Sequence, residues 1–115
     1  MRHVAGLVLG LLVGLPAIHA QAQVRAPALP ELTLTIEQHK FTPEELKVKA
    51  GQAFVLVITN KDATAEEFES KELRVERIVP AHKTLKLRMP ALKPGIYRFV
   101  GEYHEATAKG RIVAE

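Results

Sequence analysis

The chain has 115 residues, 47% of them apolar and 25% charged, and a formal net charge of +3 from 16 Lys+Arg against 13 Asp+Glu. That length holds one domain, and so small a positive excess gives no argument for a nucleic-acid partner. The lack of any cysteine excludes a disulfide framework, a thiolate metal site and a Cys nucleophile, so a small domain must be held by packing alone.

Met1-Arg2-His3 is a short positive start, and Val4 to Ile18 is a nearly unbroken apolar run containing Gly6, Gly10, Gly14 and Pro16. The run is shorter than the ~20 residues that a membrane-spanning helix needs. Pro16 ends it ahead of Ala20-Gln21-Ala22, which fits the A-x-A pattern of a cleavage site. The expectation is a signal peptide over 1–22, cleaved after Ala22, that sends the mature chain to the periplasm without a membrane anchor. Residues 23–30 (QVRAPALP) read as a flexible lead-in, and 31–115 as the folded domain.

From Glu31 the apolar residues recur every second position. Leu32, Leu34 and Ile36 alternate with Thr33, Thr35 and Glu37, the pattern of a half-buried strand. Phe41-Thr42-Pro43-Glu44 reads as a turn, Leu46 and Val48 as a short strand, and Ala50-Gly51-Gln52 as the next turn. The stretch 54–59 (FVLVIT) is the most apolar and β-branched, which predicts a central strand. A polar loop over 60–65 leads to Glu67-Phe68-Glu69-Ser70, an extended segment with Phe68 as its core residue.

Leu73, Val75, Ile78 and Val79 precede Pro80, and Leu85, Leu87 and Met89 alternate with Lys86 and Arg88. Pro90 and Pro94-Gly95 bracket a turn before a strand over 96–100, and 111–114 closes the domain. One helical turn fits around 105–109. Short strands at regular spacing, joined by Pro and Gly turns, predict an all-β fold, a single antiparallel Greek-key sandwich.

Glu66, Glu67, Glu69, Glu72 and Glu76 crowd into one short stretch. On an extended strand Glu67 and Glu69 point to one face and Phe68 to the other, and a following strand can bring Glu76 beside them. Like charges gathered this way repel unless a cation or nearby bases neutralise them. Two readings stand: a solvated face balanced by Lys71, Arg74 and Arg77, or a metal site. His104, flanked by Glu102 and Glu105, lies after the strand over 96–100, and His39 ends the first strand. Carboxylates plus imidazole suit Fe(II), Mn(II), Zn(II) or Cu(II), and not Cu(I). The candidate metal ligands are thus Glu66, Glu67, Glu69, Glu76, Glu102, His39 and His104. His82 is expected to be exposed and Met89 to lie in the core. No G-x-S-x-G elbow, H-E-x-x-H pair or phosphate-binding glycine loop is present, so catalysis by this chain on its own is not expected.

Several marks in order carry a family resemblance: Phe41-Thr42-Pro43, Val48-Lys49-Ala50-Gly51, the strand ending in Asn60, Glu66-Glu67-Phe68, Pro94-Gly95-x-Tyr97-x-Phe99, and His104 with Gly110. Over nearly the whole mature chain the sequence resembles the cupredoxin-like domain. Through 66–79 (EEFESKELRVERIV) and 94–110 (PGIYRFVGEYHEATAKG) it is most similar to the small periplasmic cupredoxin-like proteins of ferrous-iron uptake systems and to the cupredoxin part of EfeO-type proteins.

The resemblance implies a domain that handles copper, iron or both during ferrous-iron import, with a membrane iron permease and other periplasmic uptake components as partners. It also exposes departures from a blue-copper site, which needs two His, one Cys and a weak axial Met. Glu66 stands where the first His belongs, Gly101 at the place of the Cys and Thr107 near that of the Met, leaving only His104. A metal-free adaptor that docks an envelope partner, and a copper-binding or copper-resistance protein, are the alternative readings.

Overall fold

The computed structural model describes residues 2–19 and 27–115. Among these, the period-two patterning becomes nine strands. They are β1 Glu31–Glu37, β2 Lys40–Thr42, β3 Glu45–Val48, β4 Phe54–Asn60, β5 Glu66–Ser70, β6 Val75–Val79, β7 Thr84–Met89, β8 Gly95–Gly101 and β9 Lys109–Ala114. A single 3-10 turn, Glu102–His104, follows β8. The strands form two sheets, β2-β1-β4-β7 and β3-β9-β8-β5-β6.

The all-β sandwich is as the sequence predicts, but each sheet holds one parallel pair in place of the expected antiparallel one. β1 pairs with β4 in parallel, and β3 with β9 in parallel, while every other pair is antiparallel. The chain leaves the first sheet through β2 and visits the second as β3. It therefore re-enters beside β1 running the same way, and period-two spacing is blind to that direction. β4 lies inside its sheet, and its alternate residues Phe54, Leu56 and Ile58 are buried. Leu34 and Ile36 from β1 join them, and Met89 is buried as expected.

The turn expected at 41–44 begins two residues late, at Pro43. Phe41 belongs to β2, pairs with Ile36 and is 2% exposed. Its ring meets Phe99 edge-on at 5.0 Å and Phe68 at 6.1 Å, while Phe68 and Phe99 lie 5.1 Å apart. Such aromatic contacts add ~0.5–1.5 kcal/mol each beyond area burial. This cluster ties β2, β5 and β8 together, the elements from which the candidate site grows. The helical turn expected near 105–109 is one turn, with the Thr107 and Ala108 N–H groups donating to the His104 carbonyl at 3.1 and 2.8 Å.

Residues 2–19 contribute no strand or helix, and their large apolar side chains from Val4 to Ile18 stay exposed, apart from the core. Among the described residues no helix is long and apolar enough to cross a membrane. The expected cleavage after Ala22 and the start of the lead-in lie outside the described residues. The lead-in ends in contact with the domain, since the Pro30 carbonyl accepts from the Val55 N–H at 2.9 Å.

Candidate metal centre

Strand alternation on β5 divides the acidic residues. Glu66, Phe68 and Ser70 are 1%, 0% and 2% exposed and point inward. Glu67 and Glu69 point to the opposite face. A buried carboxylate is costly unless it is hydrogen-bonded, and Glu66 is fully partnered. Its Oε1 accepts from the N–H of Glu67 at 3.0 Å and of Tyr103 at 2.9 Å, and its Oε2 lies 2.6 Å from His104 Nδ1. Register Phe68↔Gly101 between β5 and β8 brings the turn at 102–104 over the start of β5. A carboxylate on Nδ1 fixes the imidazole tautomer and orientation, leaving Nε2 as the nitrogen free to accept a metal or a proton.

His39 reaches the same place from the other sheet. It sits with Gln38 in the two-residue turn between β1 and β2, both at positive φ, 56° and 53°. Left-handed backbone costs ~1–2 kcal/mol per non-glycine residue, so such a turn needs outside support. Asp62 supplies it, accepting the Gln38 N–H at 2.8 Å and the His39 N–H at 3.0 Å. Asn60 in turn holds Asp62. Its Oδ1 accepts the Asp62 N–H at 3.0 Å, while its Nδ2 donates to the Thr64 and Val79 carbonyls. The Thr107 hydroxyl donates to the His39 carbonyl at 2.6 Å. The result is a stacked pair of rings, His39 on His104, with centroids 3.5 Å apart and planes at 12°.

The anchor has a pH signature. Burial alone would raise the Asp62 carboxyl, but the N–H groups of His39 and Gln38, then the charges of His39 and His104, outweigh it, and the net shift is downward. A carboxyl held below its unfolded value contributes stability above that value and loses it as pH falls through the folded value. The parent is therefore expected to lose melting temperature below pH ~4, and Asp62→Asn to blunt that loss. Equal acid sensitivity of the two proteins, followed by circular dichroism, would remove Asp62 as the support of the turn.

On the other face of β5, Glu67, Glu76 and Glu102 each present a donor oxygen, and these atoms lie within 4.8 Å of one another. Glu76 arrives because β6 pairs Glu76 with Glu69, diagonal to Glu67, and Glu102 arrives from the turn after β8. Contact with the Glu67 carboxylate, then its charge, pushes the Glu76 carboxyl up. Half-exposed Tyr103 sits by the same group. Partial desolvation, then the Glu67 charge, raises its phenol.

Of the seven residues the sequence singles out, Glu66, His104 and His39 meet in one group, and Glu67, Glu76 and Glu102 in a second. Glu69 joins neither. It lines a separate cavity with Lys71, Glu72 and Arg98. His82 is exposed at φ 60°, the left-handed conformation of a glycine turn, and is in neither group. Asn60, Asp62 and Thr107 are supports that sequence reading passed over. The Asn60-x-Asp62 spacing, typical of a side chain capping its own loop, is the signal that marks two of them.

A blue-copper centre does not fit these residues. A Cβ added at Gly101 would lie 2.6 Å from Glu66 Cδ and 2.7 Å from Ala108 Cβ, so the Glu66 carboxylate fills the room a thiolate would need. Neither the soft sulfur donor nor the second imidazole of that centre is available on β5 or β8. The donors present are oxygens and imidazole nitrogens.

The sandwich and the donors gathered at this end define a cupredoxin fold without a blue-copper ligand set. The chain belongs to the cupredoxin-like domain family, whose pattern matches residues 7–114. An uncharacterized protein of Rickettsia prowazekii (strain Madrid E) is 41% identical over 83 residues, 72% of this chain and 66% of that protein. The chain thus spans just under two thirds of that relative's length.

Among solved structures, the chain is similar to auracyanin A, a "blue" copper protein of Chloroflexus aurantiacus. The TM-score is 0.63 at 14% identity, over 74% of this chain and 98% of that one. It is also similar to the metal-binding domain of the Cu(I)-exporting P-type ATPase CopA of Streptococcus pneumoniae D39. There the TM-score is 0.66 at 11% identity, over 74% and 84% of the two chains. Amicyanin of Paracoccus versutus gives 0.59 at 15%, over 78% and 85%. At these identities the likeness is one of fold.

Proposed function

We propose that the chain is an exported, periplasmic metal-binding component of a ferrous-iron import system, taking up iron or copper through nitrogen and oxygen donors and passing iron to a membrane permease. One observation carries the metal-binding part: the Glu66 carboxylate holds His104 by Nδ1 at 2.6 Å, and the His39 ring stacks on it with centroids 3.5 Å apart, so two imidazoles meet at one place. The apolar segment from Val4 to Ile18, which takes no part in the core, supports export. The copper proteins that share the fold support a link to copper, and the sequence likeness through 66–79 and 94–110 supports iron.

Donor chemistry supports binding and delivery over oxidation. An all-nitrogen and oxygen set stabilises Cu(II) relative to Cu(I) and makes bound copper a weaker oxidant. It is also a poor trap for Cu(I), which counts against copper resistance. The saturation of Glu66 by protein donors favours a second reading, a metal-free adaptor that uses the sandwich to dock an envelope partner.

A ligand that binds only the native state raises the melting temperature. Adding Cu(II), or Fe(II) without oxygen, to the mature chain is expected to raise it by several degrees, and His104→Ala is expected to abolish the Cu(II) effect. A strain lacking the gene should take up less ferrous iron. Unchanged melting with either ion would overturn metal binding and leave the adaptor. Normal ferrous-iron uptake in the deletion strain would remove the transport role.

A further inference from the structure

We infer that Glu67, Glu76 and Glu102 form a cation site of their own, separate from the imidazole pair and selective for a hard divalent ion such as Fe(II) or Mn(II). This rests on the metal-binding reading above and divides it in two.

The key atom is Glu67 Oε1. Glu67 is 9% exposed, and this oxygen is buried with no hydrogen-bond partner. Leaving a buried carboxylate oxygen unpaired is unfavourable, and buried charges are ordinarily paired or bound to metal. The carboxylate that carries it belongs to a group in which Glu67, Glu76 and Glu102 each bring a donor oxygen, these atoms lying within 4.8 Å of one another. Among the described residues none of the three is in an ion pair, and Lys71, Arg74 and Arg77, the bases available to neutralise them, are in none either. No described base within ion-pairing distance thus offsets these three carboxylates. Glu76 and Glu102 are exposed, so their side chains are free to close on an ion while Glu67 provides the fixed wall.

Backbone geometry keeps the two groups apart. Glu66 and Glu67 are consecutive on β5, so their side chains leave opposite faces of the sheet. The Glu66 oxygens are occupied by two N–H groups and the His104 ring. Glu67 has no such partners on Oε1. One carboxylate therefore orients an imidazole, and its neighbour is left open to an ion. Three carboxylates with no nitrogen or sulfur select hard cations, whereas the His39 and His104 pair suits Cu(II).

The test is titration of the metal-free mature chain with Mn(II), followed by its electron paramagnetic resonance, and with Cu(II) in parallel. Glu67→Gln and Glu102→Gln are expected each to weaken Mn(II) binding at least 10-fold while leaving Cu(II) affinity within 2-fold. His104→Ala should do the reverse. Glu102 lies on an exposed turn, so its variant keeps the test valid if Glu67→Gln folds poorly. Parent affinity for Mn(II) in both glutamine variants would overturn the site, as would loss of Mn(II) binding in His104→Ala, which would mean one shared site. A parent that binds Cu(II) but not Mn(II) overturns this inference alone, and one that binds neither overturns the metal-binding reading as well.

Discussion

Glu66→Ala is expected to lower the melting temperature of the domain by at least ~12 °C. Each buried donor left without its acceptor costs about 1–3 kcal/mol, so losing three at once costs about 3 kcal/mol or more, and each kcal/mol moves the midpoint of a domain this size by about 4–8 °C. The side chain is 1% exposed. Its loss strands the N–H groups of Glu67 and Tyr103 and the His104 Nδ1 at once, and opens a void beside Gly101. Native small domains hold ~5–15 kcal/mol in total, so the variant is left near the limit of folding.

Glu66→Gln separates this structural role from the chemical one. Glutamine keeps the shape and one acceptor oxygen, so the stability loss should be well under that of alanine. Its amide, however, presents an N–H donor to His104. The ring then accepts at Nδ1 and carries its proton on Nε2, the nitrogen proposed to take the metal. Cu(II) affinity is expected to fall ~10–100-fold, with the tautomer change visible in nitrogen-15 NMR shifts. A loss below ~1 kcal/mol for the alanine variant would show that water replaces the carboxylate and that Glu66 does not organise this end of the fold.

Much of this arrangement is written in local pattern. The stripes Leu34 and Ile36, Leu56 and Ile58, and Leu87 and Met89 announce their strands because burial of one sheet face imposes a period of two. The same rule separates Glu66 from Glu67, which makes one shared metal pocket for all the glutamates geometrically untenable. Phe41 is harder to read, because the following Pro43 signals a turn while the residue itself pairs with Ile36. The meeting of His39 with His104 has no local signature. It depends on two sheets closing over each other and on Asp62 supporting a turn of two non-glycine residues at positive φ. Strand direction is equally hidden, since β1 and β4 show the same alternation whether parallel or antiparallel.

Gly101→Ala is expected to cost about 3 kcal/mol, the upper part of the range for overpacking a core. Gly101 has φ −89° and ψ 105°, a conformation open to any residue, so the demand for glycine here is one of space. An added Cβ would sit 2.6 Å from Glu66 Cδ, 2.9 Å from Glu66 Oε1 and 2.7 Å from Ala108 Cβ. The backbone cannot retreat readily. The Gly101 N–H donates to the Ala108 carbonyl at 2.9 Å, and the residue is in register with Phe68. The Glu66 carboxylate must give way, and His104 loses its partner with it. The two sites are therefore coupled, and a double-mutant cycle measures how strongly. In a Glu66→Ala background the same glycine substitution should cost at least 1 kcal/mol less than in the parent, because the group it strikes is gone. Additive losses in thermal melts would place the whole clash on Ala108 and show that Gly101 does not exist to accommodate the glutamate. A non-additive result ties the two positions together: the volume left free at Gly101 is what the Glu66 carboxylate occupies to hold the His104 imidazole in place.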